Sequence, residues 1–303
     1  MPGHSCTELF KRAANWMANL VIAGFCLVVL WLLLQITTYA SFKVPSGSME
    51  PTLRPGDFVL VNKWLMGARI FDVQQALAGE QVRIHRLPGL KHSQEVRGRV
   101  MVFNFPYPDR QCDSLYMDVM LYYVKRCIAL PGDTVEVRGA HYYVNSLAEP
   151  VGNLKEQDRL EEMLRFESTD ALQALGINNK VLGDSLLHWS LWQMGPMIVP
   201  EKGNTVQLTR SNTVILGKLI EWETGEKLTV KGDSVYLGGE HLSSYTFCKN
   251  YYFMAGDNVM HSNDSRYWGL VPEEYIVGVA THIWKSENPR TGKMRWSRVM
   301  KRI

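Results

Sequence analysis

Between Ala13 and Phe42 the chain has no charged residue, and Leu20 to Leu34 is an unbroken apolar run. About 20 apolar residues cross the hydrocarbon layer of a bilayer. The pattern therefore predicts a membrane helix over Trp16 to Ala40, with Trp16 and Tyr39 at the interfacial positions that aromatic residues favour. A cleaved leader is the rival reading, because Lys11 and Arg12 resemble a leader's basic start and Thr38-Tyr39-Ala40 is a loose small-x-small site. Lys11 and Arg12 before the run are balanced by Lys43 and Arg54 after it, which leaves little charge bias to orient the span. One span is expected, with everything after residue 43 on one side of the membrane.

Beyond the span the pattern changes to short runs of β-branched and aromatic residues broken by Gly, Pro and Asp. Phe58-Val59-Leu60-Val61, Val100-Met101-Val102-Phe103 and Leu121-Tyr122-Tyr123-Val124 predict antiparallel strands. Gly132-Asp133-Thr134-Val135 followed by His141-Tyr142-Tyr143-Val144 predicts a hairpin, and Gly232-Asp233-Ser234-Val235 before Gly238-Gly239 repeats that layout. From Leu154 to Leu164, Leu160, Met163 and Leu164 stand at i, i+3 and i+4, which predicts one amphipathic helix on the surface of the β structure. No low-complexity linker interrupts the chain, so residues 138–250 read as an insertion into a single β domain built from 41–137 and 251–303, after a short tail over 1–15 and the span over 16–40.

Composition narrows the class. Hydrophobic residues are 46% and charged residues 21% of the 303, which excludes disorder, collagen-like repeats and coiled coil as descriptions of the whole chain. A formal charge of +3 lacks the basic excess of a nucleic-acid binder. The five cysteines have no CxxC spacing, so no metal site is expected.

Three segments carry candidate chemistry. Lys43-Val44-Pro45-Ser46-Gly47-Ser48-Met49-Glu50-Pro51 sets two serines between prolines that restrict the backbone, a setting able to fix a nucleophilic hydroxyl. A serine needs a base, and neither Gly-x-Ser-x-Gly nor Ser-x-x-Lys occurs around Ser46 or Ser48, so the base must come from a distant segment. Lys125 lies in the apolar strand Tyr122 to Leu130, where burial would lower its pKa. Holding it neutral near pH 8 requires a shift of about two units, about 3 kcal/mol of desolvation. Arg126 alternates to the other face and stays charged. In Gly256-Asp257-Asn258 to Ser265-Arg266-Tyr267-Trp268-Gly269, Asp257, Asp264 and Arg266 can fix a loop by charge-assisted hydrogen bonds, Ser262 can orient a lysine amine, and His261 is a competing base.

Together these segments resemble the bacterial type I signal peptidase (leader peptidase) family, membrane-bound Ser-Lys endopeptidases that remove signal peptides from exported preproteins. The resemblance also takes in Gly56-Asp57-Phe58 and Arg97-Gly98-Arg99, in the family's order. It implies Ser48 as nucleophile, Lys125 as general base, Ser46 with the Ser48 amide as oxyanion hole, and Ser262 as the residue orienting Lys125. Arg126, Asp257, Asp264 and Arg266 then support the site. It implies a mainly β fold, with one N-terminal transmembrane helix, an antiparallel β catalytic domain and an inserted second β region carrying a helix. It also implies no cofactor, signal-peptide-bearing preproteins and membrane lipid as partners, and a single-pass place in the bacterial cytoplasmic membrane with the catalytic domain outside. Many relatives carry Arg-Asp where this chain has Val259-Met260, so Asp264 and Arg266 must hold the loop. Cys112 and Cys248 can pair only if the fold brings them together, and Cys127 is expected to pack beside Lys125. The alternatives are a self-cleaving repressor-type Ser-Lys protease, which should carry a DNA-binding domain in place of the span, and a membrane-anchored non-catalytic scaffold.

Overall fold

The computed structural model describes residues 3–303 apart from 79–81, 83, 90–95, 108–113 and 183, so Cys112 lies outside the described residues. Helix α1 (Gly3–Thr37) gives way at Thr38 to strand β1 (Tyr39–Lys43). After the serine loop come β2 (Asp57–Asn62), β3 (Arg69–Ile70), α2 (Val73–Leu77) and β4 (His85–Arg86). Then follow β5 (Val100–Asn104), β6 (Tyr122–Ala129), β7 (Thr134–Arg138) and β8 (His141–Val144). Helices α3 (Leu154–Phe166), α4 (Thr169–Ala174) and α5 (Asp184–Leu187) precede β9 (Gln193–Ile198), β10 (Thr205–Gln207) and α6 (Arg210–Thr224). Strands β11 (Leu228–Lys231), β12 (Ser234–Leu237), β13 (Glu240–His241) and β14 (Ser244–Thr246) lead to β15 (Tyr251–Ala255). The chain closes with α7 (Ser265–Trp268), β16 (Val271–Pro272), β17 (Ile276–Ser286) and β18 (Lys301–Arg302).

The main sheet runs β1-β2-β17-β5-β6-β15-β16, with β18 also on β17, and its paired neighbours are antiparallel. In a flat sheet β1 and β6, four steps apart, would be separated by about 19 Å. Instead the Phe42 and Tyr122 rings meet with centroids 4.7 Å apart, so the sheet is strongly curled. Strand alternation divides its side chains between two cores: Val100 and Val102 join Val44, Met49, Leu53, Val59 and Ile283 on one face, while Met101 and Phe103 join the larger core on the other. Met49 and Leu53, at 1% and 0% exposure, anchor the serine loop in the smaller core.

The span differs at both ends from the expected 16–40: the helix begins by Gly3 and stops at Thr37, because Tyr39 and Ala40 pair with Asn62 and Val61 of β2. The apolar stretch Phe10–Leu34 has the length and hydropathy to cross a membrane, and its most apolar part has no share buried inside the protein. Strand β7 pairs with β8 and β9, not with the main sheet. The accessory sheet therefore starts at Thr134, ahead of the expected boundary at 138. The predicted helix is α3, with Leu160 fully buried. It is more than a surface element, because the buried Gln157 amide accepts from Tyr142 N at 2.9 Å and donates to Val151 O at 2.8 Å. Helix α6 is the longest of the elements the pattern did not predict, α2, α4, α5 and α7 being short; Thr209 and Asn212 form its capping box and Gly225 closes it at φ 75°.

Candidate active site

The serine loop leaves β1 at Lys43 and is pinned at both ends of its turn. Val44 N donates to Asp57 O at 2.8 Å, and Gly56 N donates to Val44 O at 2.8 Å. Asn258 ties the loop to the chain after β15, its N donating to Ser48 O at 3.1 Å and its Nδ2 to Gly47 O at 3.2 Å. From the other side, buried Asp57 accepts from Arg298 Nη2 at 2.6 Å and Arg54 N at 2.8 Å, while Arg298 Nη2 also donates to Thr52 O at 2.9 Å.

Lys125 points from β6 into this setting with 3% exposure, and its Nζ donates to Ser48 Oγ at 2.6 Å. Burial pulls its pKa down to about 8; Asp264 and Asp257 oppose that effect and Arg266 reinforces it. Ser46 Oγ lies 3.4 Å from Ser48 Oγ, on the exposed side. Among the described residues, Ser48 Oγ has no hydrogen bond to His261, which is exposed. Cys127, the next residue on Lys125's strand face, is fully buried, and burial pushes its thiol far up.

Two carboxylate–guanidinium forks hold the surrounding loops. Arg126 Nε and Nη2 donate to Asp257 Oδ1 and Oδ2 at 2.6 and 2.5 Å. Arg266 Nε and Nη2 donate to Asp264 Oδ1 and Oδ2 at 2.8 and 2.9 Å, both residues being buried. Burial alone would raise the Asp264 pKa, but the charge and hydrogen bonds of Arg266, with Lys125, hold it below the usual carboxylate range. Asp264 Oδ2 also accepts from Gly256 N at 3.0 Å. Arg266 Nη2 caps the carbonyls of Val259 and Ser262. Val259 and Met260 are buried in the larger core, so apolar packing occupies the positions where the resemblance leads one to expect a charged pair.

Ser262 is buried, but its Oγ has no hydrogen-bond partner, and the expected bond to Lys125 is not formed. The hydroxyl instead lies against Gly256: a Cβ on Gly256 would come within 2.1 Å of Ser262 Oγ and 2.5 Å of Ser48 O. Gly256 and Asn258 are thus site-building residues that the sequence reading quoted without assigning a role. Their signal was the Gly-Asp-Asn triplet directly after an apolar strand. Among the described residues a metal-like cluster exists at His141, Asp158 and Glu161. It lies on β8 and α3, outside the cleft, where His141 Nδ1 contacts Gly139 O at 2.8 Å.

A cleft of about 690 Å³ opens in front of the serine, between β1 (Ser41 to Lys43) and the chain from Met120 to Lys125. A hydroxyl beside a partly neutral amine, facing such a cleft, is suited to acyl transfer, the chemistry of the serine hydrolases. The family model for signal peptidase, peptidase S26, matches residues 16–285, and the chain belongs to that family. Signal peptidase I of Buchnera aphidicola (Acyrthosiphon pisum symbiont) is 28% identical over 275 residues, 86% of this chain and 74% of the relative. That of Pseudomonas aeruginosa is 28% identical over 273 residues, 85% and 69% of the two chains. That of Aquifex aeolicus is 26% identical over 279 residues, 89% and 85%. The protein is a membrane-anchored serine endopeptidase that removes signal peptides.

Proposed function

We propose that Ser48 and Lys125 perform this activity as a nucleophile–base pair. Neutral Lys125 takes the Ser48 proton as Oγ attacks the carbonyl before the cut, and the oxyanion is held by the Ser46 hydroxyl and the Ser48 amide. Lys125 returns the proton to the leaving amine, then activates the water that hydrolyses the ester. The observation that carries this reading is the 2.6 Å contact between Ser48 Oγ and a lysine buried enough to hold its pKa near 8. Ser262 orients the amine once substrate fills the cleft, since catalytic hydrogen bonds often tighten only in the complex. Arg126, Asp257, Asp264 and Arg266 hold the loops that present these groups. The main-sheet segments form the catalytic domain, and the chain between β6 and β15 is an accessory region inserted into it.

The substrate is an extended strand with small residues at the first and third positions before the cut, paired along β1. Helix α1 crosses the bacterial cytoplasmic membrane once, in contact with its lipid, and holds the catalytic domain on the extracytoplasmic face. The short path from Thr37 to Ser48 supports a nucleophile held close to where a signal peptide leaves the bilayer. The test is preprotein cleavage by detergent-solubilised full-length protein: Ser48→Ala and Lys125→Ala should each abolish it while circular dichroism stays native. Cleavage by a folded Ser48→Ala variant would overturn the reading.

A further inference from the structure

The cleft does not end at Ser48. His261 and Asn263, which line it, also line a second depression of about 450 Å³ together with Gly176 and Asn178 of the accessory region. Gly176 and Asn178 in turn border a third depression that reaches Lys180. This outer wall is tied to the active-site loop: Tyr267 Oη donates to Asn178 O at 2.8 Å, and Leu182 N donates to Arg266 O at 2.7 Å. Asn178 Oδ1 accepts from Lys180 N at 3.0 Å, which fixes the side-chain amide and leaves its NH2 free of any bond to the described residues. His261, Asn263, Asn178 and Lys180 are all exposed, and among the described residues no carboxylate lines either outer depression.

The geometry points to a subsite for the residues that follow the cut, built between the active-site loop and the accessory region and favouring an acidic side chain in the segment it holds. This rests on the Ser48–Lys125 reading and extends it. The tether fixes the direction: β1 continues from the membrane helix, so the part of the substrate still in the bilayer lies along Ser41 to Lys43. The released half must then leave past Ser48, toward His261 and Asn263. Amide and imidazole groups suit the backbone of an extended chain, and Lys180 supplies the complementary charge. The accessory region would thereby shape the leaving-group side and leave the chemistry to the main sheet.

Three substrates with one common acyl half separate the possibilities: a peptide with glutamate at every position from about the second to the fifth after the cut, its counterpart with lysine at the same positions, and a methyl ester with no chain after the cut. The run of positions is needed because Lys180 lies in the outermost depression and an extended chain advances about 3.3 Å per residue. Full-length protein in detergent should cut the glutamate peptide about fivefold better in kcat/KM than the lysine peptide, the size of one exposed charge pair. Lys180→Glu should abolish or reverse that preference. Tyr267→Phe, which unties the Asn178 wall, should lower kcat/KM for both peptides relative to the ester. Equal cutting of the two peptides by the native protein, or the same preference in Lys180→Glu, would overturn the subsite. Ester and peptide cleavage surviving in Ser48→Ala would instead overturn the Ser–Lys reading beneath it.

Discussion

Lys125 is a residue whose folded environment opposes its own charge. In the unfolded chain it titrates near 10.4, and in the fold near 8. Between those values the unfolded chain binds the proton and the folded one does not, so stability rises with pH across that window. Below about pH 8 both states are protonated and the full penalty, roughly 3 kcal/mol, is present. Lys125→Met, which keeps the volume and removes the charge, should therefore raise the thermal midpoint at pH 7 and lose that advantage by about pH 10.5, as calorimetry across pH would show. Asp264 has the opposite sign: its pKa is lowered in the fold, so its contribution is present above its unfolded pKa and lost as pH falls through the folded one. Ser262→Ala removes a buried hydroxyl without a partner, so stability should hold while kcat falls more than KM rises, by up to about 10²-fold if the hydroxyl orients the amine in the complex. Steady-state kinetics with wild-type kcat would remove Ser262 from the mechanism.

At the scale of elements, the proposed active site is a meeting of the serine loop, β6 and the chain after β15, which pack closely at Gly256. Gly256→Ala would drive a Cβ into Ser262 and the Ser48 carbonyl. We expect at least a tenfold loss of kcat/KM, with a lowered thermal midpoint; native values of both would show that the packing there is slack. What was legible in the sequence follows the same division. Three strands of the main sheet, β2, β5 and β6, were legible because their short β-branched and aromatic runs are bounded by Gly, Pro and Asp, whereas β1 continues the uncharged stretch of the span and β15 to β18 were not picked out. Helix α3 showed a period that its acidic outer face made plain. Helix α6 was not seen, since its Thr213-Val214-Ile215 start resembles a strand and Gly217 interrupts it; burial of Ile215, Leu216, Leu219 and Ile220 overrides that local preference. The 2.6 Å dyad joins residues 77 apart in sequence. Residue type and order singled out its members, but the curl of the sheet that closes the distance is a property of packing.

At the scale of the molecule, an apolar helix left outside the protein's cores leads directly into the strand that borders the cleft. The account requires the helix to persist: membranes washed with alkaline carbonate should retain the full-length chain, and detergent should release it. A soluble product starting near Ser41 would show a cleaved leader. The central claim is that a neutral lysine, not a histidine, activates Ser48. Its most direct test is the pH dependence of kcat/KM on a signal-peptide substrate, compared between the native protein and His261→Ala. If Lys125 is the base, both should rise along one limb with an apparent pKa near 8. A limb in the histidine range that vanishes in His261→Ala would contradict the account and assign the base to His261.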